Sequence, residues 1–137
     1  VERSRGLGDV YKRQDPIKLI INDLVNKGIV IVVAAGNRGH SGTESMSITT
    51  PGVSPHSLTV GGSGLNGSEV LGFSSIGPTS DFVVKPEIVA PAEAISASPG
   101  GGYHEIYGTS VSAAYVTGSV ALILDYMRKN NLVVLKK

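Results

Sequence analysis

Length, charge and cysteine content limit what this chain can be. It has 137 residues and a formal net charge of +1, enough chain for one domain or part of one, and nothing indicates a nucleic-acid partner. The absence of cysteine excludes a disulfide scaffold and a cysteine-ligated metal site. No uninterrupted apolar run reaches the roughly 18 residues of a bilayer-crossing helix, so we expect no membrane span.

Residues 1–14 differ from the rest of the chain. They read VERSRGLGDVYKRQ, have no apolar periodicity and look like translated sequencing-adaptor read-through. We predict that they are non-native sequence or a disordered N-terminus, and we assign the domain to residues 15–137.

A helix followed by a buried strand is predicted at the start of the domain. Asp15 is a side-chain acceptor suited to an N-cap, and Pro16 suits the first helical position. One apolar stripe follows at positions i, i+3, i+4 and i+7, formed by Ile17, Ile20, Ile21 and Leu24. Gly28 is a natural helix stop, and the β-branched run Ile29–Ala34 is typical of a strand buried in a parallel sheet.

The remaining pattern predicts short strands and one long helix. The strands are expected at Ser57–Gly61, Glu69–Phe73, Glu87–Ala90 and Ala94–Ala97. The Gly-rich segment Pro99–His104 indicates a loop, and Thr109–Lys129 a helix that is apolar nearly all round, which is typical of a core helix. This order of elements predicts an α/β fold with a mostly parallel sheet and flanking helices.

Two polar residues at the ends of elements suggest an acyl-transfer site. Ser110 lies in the first turn of the predicted long helix, where the helix dipole favours negative charge. Asn37 follows the predicted strand and could donate its side-chain amide to an oxyanion. The structural alternatives are that Ser110 or Thr109 caps the helix and that Asn37 is a turn residue.

Other candidate groups are less specific. Gly62–Gly67 matches G-x-G-x-x-G, but Ser68–Ser75 after it does not resemble a helix, so a glycine turn is favoured over a nucleotide-binding site. The histidines lie in predicted loops and receive no role; they are His40, His56 and His104. The acidic residues of the second half are scattered, and no cation site is legible among them.

Four segments of the chain form a series. They are Ala34–Asn37 (AAGN), Phe73–Pro78 (FSSIGP), Lys85–Pro91 (KPEIVAP) and Gly108–Ala113 (GTSVSA). In order and spacing they resemble the signatures of the subtilisin-like serine proteases, the subtilases. The resemblance covers about residues 15–128 and implies an incomplete subtilisin-like fold, the C-terminal part of the peptidase domain. It also implies a serine endopeptidase that cleaves a peptide or protein substrate through an acyl-enzyme.

The resemblance assigns a role to each matching residue. Ser110 matches the nucleophile, and Asn37 matches the oxyanion-hole amide. One wall of the pocket for the substrate residue before the scissile bond is matched by Ala34, Ala35 and Gly36. Thr50-Pro51 matches a position where the family often has a cis peptide bond. Because the family's Asp and His lie upstream of the Asn, the chain alone is expected to have little activity.

The chain also departs from the family's pattern. Ala114 and Tyr115 stand where the family usually has Pro and His, and Ala92 replaces a common Gly, which indicates a divergent subfamily. A catalytically inactive member that binds peptides or a partner protein is the alternative hypothesis. The resemblance further implies secretion and allows calcium, although no cofactor is evident from the residues. The oligomeric state is left open.

Overall fold

Three parallel strands form the centre of the fold. The computed structural model describes residues 15–40 and 45–132, and the prediction for residues 1–14 lies outside them. In chain order the elements are α1 (Pro16–Asn26), β1 (Val32–Ala34), β2 (Leu58–Ser63), β3 (Ile88–Pro91), β4 (Glu93–Ala97), β5 (Tyr103–Tyr107) and α2 (Thr109–Lys129). The predicted α/β class is confirmed.

The central sheet has the order β1-β2-β3, and both pairings are parallel. Val33 of β1 lies opposite Thr59 of β2, and Val60 lies opposite Ile88 of β3. Strands β4 and β5 form a separate antiparallel hairpin. Because the three central strands run the same way, their carboxyl ends meet at one edge, which is where sites form in open α/β sheets.

Helix α1 begins and ends where the sequence predicts. The Asp15 carboxylate accepts the N–H of Ile17 at 3.0 Å, and Pro16 takes the first helical position. Gly28 has a φ of +85° just after the last turn, and its N–H bonds to the carbonyl of Val25 at 2.9 Å. The apolar stripe is buried only in part, because Ile21 is buried while Ile17 and Ile20 are exposed.

Helix α2 packs one side of its first turns on the sheet. Val116 joins Val60 and Ala90 in the buried core, with the partly buried Val32, Leu58, Ala113 and Val120 around them. The prediction of a core helix is met on one side only, since the buried residues of α2 are Thr109, Val111, Ser112 and Val116. The described sheet covers one side of the helix, so Leu122 keeps 74% of its surface exposed.

The same helix meets the minimum length and composition of a membrane-crossing segment. Thr109–Lys129 has 21 residues, and only 17% of its most apolar 18-residue window is buried. The sequence predicts no membrane span because it contains no long uninterrupted apolar run. That criterion does not detect this helix, in which polar residues interrupt the apolar ones. Core helices of soluble proteins satisfy the same criteria, so length and composition do not separate the two cases.

The remaining strands differ from the predictions mainly at their ends. Strand β1 starts three residues after the predicted Ile29, it is only partly buried, and Ile29 and Val30 are exposed. Strands β2, β3 and β4 are found within two residues of their predicted bounds. The predicted edge strand Glu69–Phe73 is wrong: among the described residues it makes a single bridge, Val70 to Ser63. The chain turns back too early for a ladder, because the Ser74 N–H already bonds to the Leu71 carbonyl at 2.8 Å.

The sequence does not predict strand β5, because the glycines directly before it indicate a loop. The predicted loop Pro99–His104 is in fact the hairpin turn plus the first two residues of β5. Gly100, Gly101 and Gly102 all have positive φ, and the Ser98 N–H bonds to the Gly102 carbonyl at 3.0 Å. The turn that these glycines allow therefore reverses the chain within the predicted loop.

Three X-Pro peptide bonds are cis in the described residues. Thr50-Pro51 is one of them, as the resemblance predicts, and the others are Gly77-Pro78 and Lys85-Pro86.

A buried lysine ties β2 to the segment that enters β3. The Lys85 ammonium donates to the Ser57 carbonyl at 2.8 Å and to the Thr59 hydroxyl at 3.1 Å, and it pairs with the Glu87 carboxylate. The second oxygen of Glu87 accepts the Thr59 N–H at 2.8 Å. The Lys85 side chain is fully buried, so each of its partners replaces water that the ammonium has lost.

We expect Lys85→Met to lower the free energy of unfolding by about 1–3 kcal/mol, because it leaves Glu87 and the Ser57 carbonyl without their cation. Lys129→Met is the matched control, since Lys129 pairs with Asp125 on an exposed helix face and should cost under about 0.5 kcal/mol. Urea titration of the full-length protein measures both. Equal effects would contradict a structural role for the buried lysine.

Candidate active site

The candidate site lies where the strand ends meet the start of α2. The Ala92 N–H, just after β3, bonds to the Ser63 carbonyl at the end of β2 at 2.9 Å. The Gly108 N–H then bonds to the Ala92 carbonyl at 2.8 Å. This ladder continues the sheet as far as the first residue before α2 and fixes the position of the helix start.

Asn37 and the first residue of α2 are joined by two hydrogen bonds. The Asn37 Oδ1 atom accepts the backbone N–H of Thr109 at 3.0 Å and the Thr109 hydroxyl at 2.9 Å. Both donors require the amide oxygen on this side, which settles the orientation of the amide group. The Asn37 Nδ2 group is thereby turned away from Thr109, and its hydrogens have no acceptor among the residues that the structure describes.

Two glycines with positive φ allow the segments to come this close. Gly36 has a φ of +109°, and its N–H donates to the Thr109 hydroxyl at 3.2 Å. Gly108 has a φ of +138°, and a Cβ atom there would lie 3.1 Å from the Asn37 Nδ2 atom. A side chain at residue 108 would therefore crowd the amide group of Asn37.

Ser110 is the second residue of α2 and is exposed. The N-cap is Gly108, and no side-chain capping bond is made at this end, so the capping alternatives for Ser110 and Thr109 are wrong. The first turn contains no acidic residue. A negative charge that develops near Ser110 thus meets the positive end of the helix dipole without a competing carboxylate in that turn.

The sequence suggests only a capping role for Thr109, whereas the structure places its side chain in the candidate site. It is 1% exposed, and its hydroxyl links the Gly36 N–H to the Asn37 amide oxygen. The signal was present in the sequence, since a β-branched hydroxyl residue stands directly before the candidate nucleophile. A capping role was the simpler interpretation, and only the fold brings residue 37 beside residue 109.

The predicted pocket wall consists of the last residue of β1, Ala34, and the two residues after it. Ala35 donates its N–H to the Val60 carbonyl at 2.9 Å and accepts the N–H of Thr49 at 3.0 Å, while its side chain is fully buried. Gly36 accepts the N–H of Ser75 at 2.9 Å. Ala34 and Gly36 are partly exposed, so a ligand would meet mainly backbone along this wall.

No described histidine reaches Ser110 through a hydrogen bond. The His104 Nδ1 atom lies 2.8 Å from the Ser98 hydroxyl, on the exposed β4–β5 hairpin. His56 lies exposed in the turn before β2, and His40 is exposed after the candidate oxyanion residue. The part of the chain that the structure describes therefore holds the serine and the amide without a general base beside them.

The glycine run Gly62–Gly67 does not have the geometry of a nucleotide loop. Gly62 belongs to β2, and its N–H donates to the Ser74 hydroxyl at 2.9 Å. The Gly67 N–H closes a turn on the Gly64 carbonyl at 2.9 Å, and the chain then returns to pair with β2. Because no helix follows the glycines, no dipole points at a phosphate, and the glycine-turn interpretation is confirmed.

Among residues 15–40 and 45–132, no three His, Asp or Glu side chains are grouped so that they could hold a metal ion. No step below uses a metal.

Comparison with known proteins decides the family. The model of the Subtilase family, peptidase S8, matches residues 3–134. The chain belongs to the subtilase family. It is 34% identical over 136 residues to serine protease AprX of Bacillus subtilis (strain 168), which covers 84% of this chain and 30% of that protein. It is 36% identical over 111 residues to subtilisin E of the same strain, covering 80% and 27%.

Solved subtilase structures have the same fold. The self-cleaved protease domain of PatA aligns with a TM-score of 0.70 and 29% identity, over 83% of this chain and 40% of that one. Sphericase aligns with a TM-score of 0.63 and 34% identity, over 78% and 37%. The chain thus spans about 27–30% of the length of the two curated relatives named above.

We expect Gly36→Ala to destabilise this subtilase more than Gly28→Ala. Both glycines have positive φ, which costs an alanine about 1–2 kcal/mol. A Cβ at Gly36 would also lie 2.7 Å from the Thr49 hydroxyl and 2.9 Å from the Ser75 hydroxyl, whereas Gly28 has open space. Overpacking adds about 1–3 kcal/mol.

Urea titration of the two variants of the full-length protein measures the difference. Equal losses in the free energy of unfolding would show that residue 36 is limited by backbone conformation alone and that the close approach of Thr49 and Ser75 has no energetic effect.

Proposed function

We propose that the full-length protein containing this chain is a serine endopeptidase, with Ser110 as nucleophile and Asn37 as oxyanion donor. The observation that supports this most directly is the pair of hydrogen bonds from Thr109 to Asn37 Oδ1, at 3.0 and 2.9 Å. They hold the amide oxygen against Thr109, the residue directly before the exposed Ser110, so that the amide N–H groups have no partner among the described residues.

The proposed reaction is peptide hydrolysis in two stages. The Ser110 Oγ atom attacks the substrate carbonyl carbon while its proton passes to a histidine, and the oxyanion that forms accepts a hydrogen bond from Asn37 Nδ2. The C–N bond then breaks, and the histidine returns the proton to the leaving amine. Water, deprotonated by the same histidine, hydrolyses the acyl-enzyme and releases the acid product and Ser110.

The base must come from another part of the protein. A serine hydroxyl without a positioned base is a poor nucleophile at neutral pH. No described histidine is hydrogen-bonded to Ser110, and the chain spans only 30% of serine protease AprX. We therefore infer that the Asp and His of the family lie in sequence outside this chain and that the 137-residue chain alone is inactive.

A catalytically inactive, peptide-binding subtilase is the second candidate. What favours it is the absence of a base beside Ser110 among the described residues. The presence of Ser110 and of an Asn37 amide held by Thr109 favours the peptidase, because peptide binding alone needs neither residue. Family membership also supports export of the protein, which we propose with the activity.

Fluorophosphonate labelling of the full-length protein tests the proposal. We expect one covalent adduct, located on Ser110 by peptide mass mapping, because only a base-activated serine reacts rapidly with the phosphorus centre. Ser110→Ala should abolish the adduct. Ser119→Ala is the matched control and should keep it, since Ser119 is an exposed serine of the same helix that bonds to the Tyr115 carbonyl. An adduct that survives Ser110→Ala would refute the assignment of the nucleophile.

We expect Asn37→Ala to lower kcat by about 10²–10³-fold with little change in KM, because the amide contacts the oxygen only once it carries charge. That range was measured in a subtilisin and is carried over by family membership. Steady-state kinetics on a peptide amide substrate measure it. Turnover within a few-fold of the unmodified enzyme would exclude Asn37 from the oxyanion hole.

A further inference from the structure

We propose that Arg38 makes this enzyme select an acidic substrate residue immediately before the scissile bond. The inference rests on the proposed peptidase function and adds the substrate class. It is carried by the position of a cavity, by the charge of its lining and by the rigid attachment of Arg38 to the candidate oxyanion residue.

The cavity lies directly behind the predicted pocket wall. It has a volume of about 580 Å³, and it is lined by Arg38 and residues 45–50. Thr49 belongs to both features: it lines the cavity, and its hydroxyl donates to the Ala35 carbonyl at 3.3 Å. A Cβ atom on Gly36 would lie 2.7 Å from that hydroxyl. Because Thr49 belongs to both the wall and the cavity, we place in this cavity the substrate side chain that lies against the wall.

Arg38 gives the cavity its charge. It is the single charged residue among the described lining residues, the others being serines, threonines, Met46 and Ile48. Within residues 15–40 and 45–132, the ion pairs use other cations: Lys18, Lys27, Lys85 and Lys129. The guanidinium thus has no carboxylate partner among the described residues, and its positive charge would attract an incoming carboxylate.

The backbone of Arg38 is fixed at the point where its side chain leaves. Its N–H donates to the buried Ser75 hydroxyl at 3.0 Å, and the next N–H, of Gly39, bonds to the Phe73 carbonyl at 2.8 Å. Asn37 on the other side is held by Thr109. The backbone from which the guanidinium extends is therefore held beside the candidate oxyanion residue, so the charge stays within the length of one arginine side chain from it.

Side-chain chemistry separates the possible substrates. A glutamate could accept two parallel hydrogen bonds from the planar guanidinium, and the exposed Thr50 hydroxyl could donate a third. A lysine would bring a second cation beside Arg38 with no described carboxylate to offset it. A glutamine has the size of glutamate without the charge and isolates the electrostatic part of the preference.

The test compares peptides that differ only in the residue before the scissile bond, which is Glu, Gln or Lys. With the full-length enzyme we expect kcat/KM for Glu to exceed that for Gln by roughly tenfold and that for Lys by roughly a hundredfold. Higher ionic strength should reduce the Glu-to-Gln ratio, because salt screens a partly exposed charge.

Two variants attribute the preference to its source. Arg38→Gln should bring the Glu-to-Gln ratio close to one, and Arg38→Glu should make Lys the preferred residue. Arg128→Gln is the matched control, since Arg128 is an exposed arginine near the end of α2 and should leave the ratio unchanged.

The outcomes separate this inference from the function on which it rests. Labelling of Ser110 together with equal cleavage of Glu, Gln and Lys peptides would overturn the role of Arg38 and leave the peptidase proposal standing. Absence of labelling and of cleavage for every peptide would overturn both. A Glu preference that persists in Arg38→Gln would place the selective charge elsewhere in the protein and refute the assignment.

Discussion

The hydrogen bonds between Asn37 and Thr109 are the constraint on which the site depends. They join segments 72 residues apart in the chain, so they form only when the sheet and α2 are both in place. The parallel order β1-β2-β3 brings the chain after β1 level with the start of α2. The amide orientation is thus a product of the whole fold and cannot be set by either segment alone.

The hydrogen bonds between Asn37 and Thr109 also explain why the residues around them are small. Thr109 has to sit against Gly36, whose N–H bonds to the threonine hydroxyl, and Gly108 leaves room for the amide of Asn37. A donor that is already oriented stabilises a developing oxyanion without reorganising during the reaction, which is why such preorganisation is effective. The glycines lose backbone freedom on folding, and the hydrogen bonds that they permit offset part of that cost.

Local patterns predicted the elements well, and long-range contacts account for what they missed. The cap at Asp15, the stop at Gly28 and the parallel strands follow from propensity and periodicity, which act over a few residues. Strand β5 depends on pairing with β4, and burial of α2 depends on which surfaces face it, so neither could be read from its own segment. For the site, the motif order pointed to Ser110 and Asn37, while Thr109 and Arg38 needed the contacts made across the fold.

In the enzyme that we propose, the adjacency of Asn37 and Arg38 would link transition-state stabilisation to substrate choice. Each is anchored by a buried hydroxyl residue, Thr109 or Ser75, so neither can shift without moving its neighbour. A carboxylate held by Arg38 would therefore position the adjacent scissile carbonyl against the amide of Asn37. Binding energy gained in the cavity would then be used to orient the reacting bond, and the preference would be expressed in kcat as well as in KM.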